Sequence, residues 1–196
     1  MKSDLPGESL KQLFEDGRTH HGWSPEPISE SKLVQLYNLL KWAPTCVNGA
    51  PARFVFIKSA QMKEKLLPCL MEKNIEKTRT APATVIVAYD LNWHEHLPTL
   101  YPQADYRSMY TSNARLNETT AFRNSSLQGG YMILAARSLG LDVGPMSGFD
   151  ADKVNDAFFK DTNLRANFLC NIGFGDPARL YPRGPRLDFS QVCTIV

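Results

Sequence analysis

Apolar residues recur along the chain at two periods, and the change of period divides it into elements. In residues 4–16, Leu10, Leu13 and Phe14 fall on one side of a short helix. Leu33, Leu36, Tyr37 and Leu40 repeat at helical spacing behind Ser29 and Ser31, either of which can cap the helix. Pro44 ends that helix near Trp42 and Ala43, because a proline disfavours helical geometry in the residue before it. Residues 60–67 also read as helical. Between these lie "RFVFI" (53–57) and "TVIVAY" (84–89), two strand-like runs. The second is apolar without alternation, which suits a strand covered on both faces.

Residues 91–113, rich in Pro, His, Tyr and Trp, follow neither period and read as a lid or substrate loop. The longest periodic segment is 117–139, with Gly140 placed as its left-handed C-cap and Leu141 behind it. Its inner face is expected to carry Ser125, Ser126, Gly129 and Gly130. Glycine inside a helix costs about 0.5–1 kcal/mol relative to alanine, so the pair asks for a reason, of which the close approach of another helix is one. Asp150 or Asp152 can start a further helix, and "NFLCNIGFG" (167–175) reads as a buried strand. The expected class is α+β, one domain over residues 1–196 with several helices wrapped on a modest sheet.

Composition removes several functions. Of 196 residues, 43% are hydrophobic and 21% charged, and 22 basic against 20 acidic residues leave a net charge of +2. That balance offers no basic footprint for nucleic acid and no polybasic membrane stretch. The first residues lack the apolar core of a signal peptide, and no run is long enough to span a bilayer, so a cytoplasmic protein is expected. Cys46, Cys69, Cys170 and Cys193 are scattered without a CxxC pair, as free thiols would be.

No Walker loop and no G-x-S-x-G elbow is present. "GFG" at Gly173 is a fragment of a dinucleotide fingerprint, and Asp176-Pro177 stands where a helix should open. His94 and His96 lack a third ligand nearby in sequence, so they are read as part of a solvated loop and no metal is expected. Two donor clusters remain. "GRTHHGW" holds Arg18, Thr19 and His20, and "RGPR" holds Arg183 and Arg186. Arginine presents a planar fork that matches phosphate oxygens in pairs, although either cluster alone can be plain surface charge. "PTCVNGAP" and "GPMSGFD" add uncharged backbone. Gly144 to Gly148 is either a tight connection or a bare shelf for a flat ligand. Taken together, these pieces suit a flat phosphorylated cofactor.

"WAPTCVNGAPARFVFI", the helix running into "LGLDVGPMSGFD", then "NIGFGD" and the Arg-Pro tail resemble the FMN-dependent nitroreductase family in order and spacing over nearly the whole chain. "RTHHGW", "KWAPT", "TAFRNSS" and "DAFF" are similar to its malonic semialdehyde reductase branch. The resemblance implies a nitroreductase-like α+β fold, a central mixed or antiparallel sheet surrounded by helices, and a homodimer with FMN at the subunit seam. NADH or NADPH would donate hydride. The implied acceptor is malonic semialdehyde, reduced to 3-hydroxypropionate in pyrimidine (uracil) degradation. A broad nitro- or quinone reductase and a non-catalytic flavin-binding dimer are the alternatives.

By the same resemblance Arg18, Thr19 and His20 meet the ribityl phosphate, with Arg183 and Arg186 as the basic tail. Pro44, Thr45, Cys46 and Asn48 form the loop that reaches the flavin from the other subunit. Asn74 addresses the pyrimidine edge of the ring. Pro145, Met146, Ser147 and Gly148 form the shelf, where a main-chain N–H meets flavin N5. Many relatives carry a Lys or Arg four residues after the first arginine, where this chain has Gly22. Lys77 is a candidate to replace that charge, and Arg107 is the candidate substrate arginine.

Overall fold

The computed structural model describes residues 3–196. Four strands, β1 (Ala52–Ile57), β2 (Ala83–Asp90), β3 (Asp142–Met146) and β4 (Leu164–Gly173), form an antiparallel sheet in the order β1-β2-β4-β3. The run 84–89 is the inner strand its composition predicts, buried along all but its last residue. Alternation sorts its side chains to two cores. Val85 and Val87 join Cys170 and Ile172 on one face, while Ile86 and Ala88 join Leu169 on the other.

Nine helices surround the sheet among the described residues. They are α1 (Gly7–Leu10), α2 (Glu30–Leu40), α3 (Ala60–Leu66), α4 (Glu72–Arg79), α5 (Leu97–Leu100), α6 (Arg107–Thr111), α7 (Ala114–Ser138), α8 (Ala151–Phe158) and α9 (Phe189–Val192). Leu33, Leu36 and Leu40 of α2 and Met132, Ala135 and Ala136 of α7 cover the first face. Leu66 of α3, Val154 of α8 and the half-buried Ile75 of α4 cover the second. None of the described helices is long and apolar enough to cross a membrane.

The caps are resolved by geometry. Ser29 accepts from the Lys32 amide at 3.2 Å, whereas Ser31 bonds only the Ser29 hydroxyl. Asp150, not Asp152, accepts from the Lys153 amide at 3.1 Å to start α8. The long helix α7 spans 25 residues, and Asn113 caps it by accepting from Leu116 at 3.0 Å. It closes at Gly140, whose φ of 73° is left-handed as expected. Leu141 N donates to Ala136 O at 2.9 Å and Gly140 N to Arg137 O at 3.0 Å, the paired bonds of a Schellman end.

Five expectations need correction. The first helix is a four-residue turn, continued by a wider π turn over Lys11–Glu15. The final strand begins at Leu164 and ends at Gly173, where its pairing with β3 stops. Residues 91–113 are not a bare loop, because Trp93, Leu97 and Tyr110 pack with Tyr89 and Ala121 into a third core. His94 lies inside that layer, buried in a helical turn over Trp93–His96, not in a solvated loop. The α7 glycines do not share a face: Ser125 and Gly129 are buried, while Ser126 and Gly130 are exposed. A Cβ on Gly129 would stand 2.4 Å from the Phe168 ring of β4, so this glycine makes room for the sheet rather than for a helix.

Candidate functional site

Residues 18–24 lie beside β3 and cross the end of β4. Thr19 bridges Val143 in parallel, and His20 N donates to Val143 O at 3.0 Å. Beyond a bend, Ser24 N donates to Phe174 O at 2.7 Å and Asp176 N to Gly22 O at 3.0 Å. Trp23 Nε1 donates to Lys77 O at 2.9 Å, which joins the same stretch to α4. Three distant segments thus meet here: the 18–24 stretch, the end of α4 and the chain after β4.

Several basic side chains gather where they meet. The Arg18 guanidinium donates to Tyr181 O, and that of Arg183 donates to Glu15 O and, at 3.3 Å, to Gly17 O. The structure therefore brings Arg183 to Arg18, whereas Arg186 bonds only its own turn, at Gly184 O and Pro185 O. His21 stacks on Tyr181 at 4.8 Å between ring centroids. Burial, then Lys77, then His20 hold the His21 imidazole below its usual pKa. Lys77 is likewise held low, by burial and then by Lys73. Arg18, Lys77, Arg179 and Arg183 have no carboxylate within ion-pair distance among the described residues. Uncompensated positive charge of this kind calls for an anion.

His20 plays a different part from its two neighbours. Its ring is buried, with Nε2 3.2 Å from Asp142 Oδ1. Burial alone would push the Asp142 carboxyl up, but hydrogen bonds from His20 and the Gly175 amide, and the charges of His20 and Arg137, hold it low. The pair ties the 18–24 stretch to β3 and β4. The buried Nδ1 of His20 has no hydrogen-bond partner among the described residues.

Beside the cations stands the shelf. Pro145 and Met146 end β3, and Ser147 and Gly148 continue it. Asn74 Nδ2 donates to Gly148 O at 2.6 Å, and Met71 N donates to the same oxygen at 3.0 Å. Asn74 is buried, so its amide nitrogen fixes the shelf. A Cβ on Gly148 would stand 2.4 Å from that nitrogen, so only glycine permits this contact. The Ser147 and Gly148 amides donate to no carbonyl oxygen among the described residues. Free main-chain donors flanked by unpaired cations can take up the rim and the phosphate of one flat anionic ligand.

The remaining candidates are elsewhere. Pro44, Thr45, Cys46 and Asn48 precede β1, at the opposite edge of the sheet from β3. Three strand spacings separate the two edges, roughly 14 Å before any offset along the strands. Cys46 N donates to Asn124 Oδ1 at 2.8 Å, and Asn48 Nδ2 donates to Leu100 O at 2.9 Å. Val47, Asn48 and Ala50 are left-handed, at φ of 46°, 53° and 40°. Such residues cost on the order of 1–3 kcal/mol each and are concentrated at functional sites. Arg107 belongs to this second group through the third core. Its guanidinium grips Glu95 with both arms, at 2.7 and 2.9 Å, in the open.

Sequence reasoning missed Arg179, which lies across Gly22, and it missed His21, whose ring packs on Tyr181. His21 sits inside a quoted motif and was within reach. Arg179 is 157 residues from its contact, and no local signal could show it.

Comparison with known proteins identifies the family. Residues 16–175 match the nitroreductase family. A Polynucleobacter asymbioticus protein, provisionally named NADH dehydrogenase/NAD(P)H nitroreductase, is 55% identical over 196 residues, the full length of both chains. A similarly named Burkholderia lata protein is 56% identical over 97% of this chain and 98% of its own. Among solved structures, a nitroreductase-type protein of Exiguobacterium sibiricum in complex with FMN superposes with a TM-score of 0.86 over the whole of both chains, at 22% identity. A Staphylococcus epidermidis protein described as an NAD(P)H:FMN oxidoreductase gives 0.85 over both whole chains, at 19% identity. Through the family match and relatives more than half identical along its length, this chain belongs to the nitroreductase family.

Proposed function

We propose that the chain is an FMN-dependent NAD(P)H oxidoreductase that works as a homodimer. The observation that carries this reading is the group of unpaired cations, Arg18, Lys77, Arg179 and Arg183, next to the free amides of Ser147 and Gly148. These residues fit FMN. Arg18 and Arg183 would hold the phosphate with Thr19 beside them, the buried His20 would brace this stretch through Asp142, and the shelf would carry the ring. When bound, FMN supplies the hydride chemistry, taking two electrons from NADH or NADPH and passing them to an acceptor. The chain binds the cofactor, orients it and sets the charge around it.

A second copy supplies what one copy leaves out. The loop Pro44–Thr45–Cys46–Asn48 is too far across the sheet to reach its own shelf, so the partner's shelf is its proposed destination. The names of the relatives, and the FMN and NAD(P)H in the descriptions of the structural neighbours, support the same reading. For the acceptor, the resemblance of "RTHHGW", "KWAPT", "TAFRNSS" and "DAFF" to the malonic semialdehyde reductase branch favours malonic semialdehyde, reduced to 3-hydroxypropionate, and Arg107 would have to leave Glu95 to receive its carboxylate. The broader reading is a nitro- or quinone reductase, and the relatives' names support its nitroreductase part.

Anaerobic mixing with NADH or NADPH tests the chemistry, and the flavin's visible band is expected to bleach in one turnover. Parallel kcat/KM values for malonic semialdehyde, a nitroaromatic and a quinone then test the acceptor. A clear preference for the aldehyde supports the narrow reading, and a preference for either of the others replaces it with the broad one. A bound flavin that stays oxidised would leave a binding dimer without turnover.

A further inference from the structure

The inward face of α7 is polar where it meets the loop before β1. Asn117, Asn124 and Gln128 stand there one to two turns apart along one line of the helix, and all three are buried. Each side-chain amide bonds the main chain of another segment. Asn117 Nδ2 donates to Leu91 O at 2.7 Å, Cys46 N donates to Asn124 Oδ1 at 2.8 Å, and Ala52 N donates to Gln128 Oε1 at 2.9 Å. Of the three, Asn124 holds the Pro44–Asn48 loop itself. Its other end is committed too, since Nδ2 donates to Thr120 O at 2.8 Å one turn earlier. With the nitrogen fixed on a carbonyl, the oxygen has to face Cys46.

What Asn124 holds is a strained segment. Val47, Asn48 and Ala50 have left-handed backbones, and for a β-branched valine that conformation is a genuine outlier. Such conformations persist only where their surroundings over-determine them. Inside the loop, Asn48 N donates to Thr45 O at 3.0 Å, Gly49 N to Cys46 O at 2.9 Å and Ala50 N to Thr45 Oγ1 at 3.1 Å. These bonds set its shape but not its place. The place is set from outside, by Asn124 on Cys46, by Leu100 O on Asn48 and by the Trp93 ring against Gly49. Leu100 and Trp93 belong to the segment whose start Asn117 ties to the same helix, so α7 is the fixed reference for the whole loop. Pro44, Cys46 and Asn48 remain exposed. The loop is thus held from below and open above.

We propose that Asn124 is the positioning residue of this loop: by bonding the Cys46 amide it sets the place at which Pro44–Asn48 meets the flavin on the partner's shelf. The proposal rests on the FMN and homodimer reading given above. Asn124 is buried, so it acts through Cys46, and its loss is felt in the site built on the other chain's shelf. The phosphate belongs to Arg18 and Arg183 on the shelf side. A misplaced loop therefore weakens the hold on the ring and leaves the phosphate grip intact.

The test compares calorimetric Kd values for FMN and riboflavin in the full-length, flavin-free protein, with Tm measured alongside. In Asn124→Ser the hydroxyl can still bond Thr120 O, as serine does within helices, but it is too short to reach Cys46 N. FMN and riboflavin should both bind roughly tenfold more weakly, the loss that follows when a buried donor is left without its partner. Asn124→Ala, which also frees Thr120 O, should do the same. Asn155→Ala is the stability control, because Asn155 Oδ1 accepts from Ala166 N at 2.8 Å, the same kind of bond on the opposite face of the sheet. It should lower Tm comparably and leave both Kd values unchanged. A hybrid dimer, one chain Asn124→Ser and the other Arg18→Ala, purified through two different tags, locates the effect. One of its sites then combines an intact shelf with an intact loop and should bind FMN as the wild type does. Unchanged affinities in Asn124→Ser overturn the proposal, as do equal losses in Asn155→Ala or a hybrid without a wild-type site. A wild-type protein that takes up no FMN removes the functional reading itself, whereas normal uptake with unmoved affinities in Asn124→Ser removes only the role of Asn124.

Discussion

Arg183 and Arg186 are three residues apart in the same exposed tail, yet they are in different surroundings. Arg183 reaches back to the main chain at Glu15 and Gly17, beside Arg18, while Arg186 bonds only Gly184 and Pro185. If a phosphate completes the cation group, the two substitutions must separate. Hydrogen bonds to charged groups contribute about 1.5–3 kcal/mol, so Arg183→Ala should weaken FMN binding by roughly ten- to a hundredfold. Arg186→Ala should stay within about twofold, and calorimetric titration of the flavin-free protein measures both. Equal losses would show that the tail moves as a unit. Cysteine adds nothing to this chemistry in the core: burial pushes the Cys170 thiol up to about 12, and it fills space between β4 and the helices.

Among the elements, those that declare themselves locally were readable in advance. β2 shows as a run of β-branched residues, and α7 as a long 3.6-residue period. Gly140 shows as a glycine directly behind that period, and it yields a clean prediction. A Cβ there meets nothing within 4 Å, so Gly140→Ala costs only the left-handed backbone of a non-glycine residue. That is about 1–2 kcal/mol, and in a chain of this size each kcal/mol lowers Tm by about 2–4 °C. An unchanged Tm by calorimetry would mean that the α7 end relaxes. Where burial is polar, the period disappears. The buried residues of α4 are Asn74 and Thr78, so no apolar stripe marked it, and the sequence offered Asn74 only through a resemblance. β3 was hidden for a related reason, because Gly144 and Pro145 read as a turn while their main chain pairs with Asn171 and Cys170. The contacts that make the site, Thr19 on Val143 and Arg179 on Gly22, join positions more than a hundred residues apart. No sequence window holds both members of such a pair.

For the molecule as a whole, the two halves of the proposed site lie at opposite edges of the sheet, and this makes assembly part of the function. If two copies pair as proposed, the outward face of α7 is the candidate seam. Phe122, Leu127 and Tyr131 are 49%, 49% and 40% exposed there, and Gly130 stands among them with nothing above it. A substitution at Gly130 is therefore silent within one chain and disruptive only between chains. Glutamate is a better helix former than glycine by several tenths of a kcal/mol, so Gly130→Glu should leave the folded monomer no less stable. Buried in an apolar seam, the same carboxylate would have no partner and would cost several kcal/mol for its desolvation. Light scattering should then find Gly130→Glu monomeric, with circular dichroism unchanged and FMN affinity at least tenfold weaker, because each shelf has lost its partner's Pro44–Asn48 loop. A dimer that survives Gly130→Glu would move the seam off α7. A monomer that keeps full FMN affinity would instead mean that the Arg18, Asn74 and Gly148 side of the site suffices alone, and the strained loop before β1 would need another purpose.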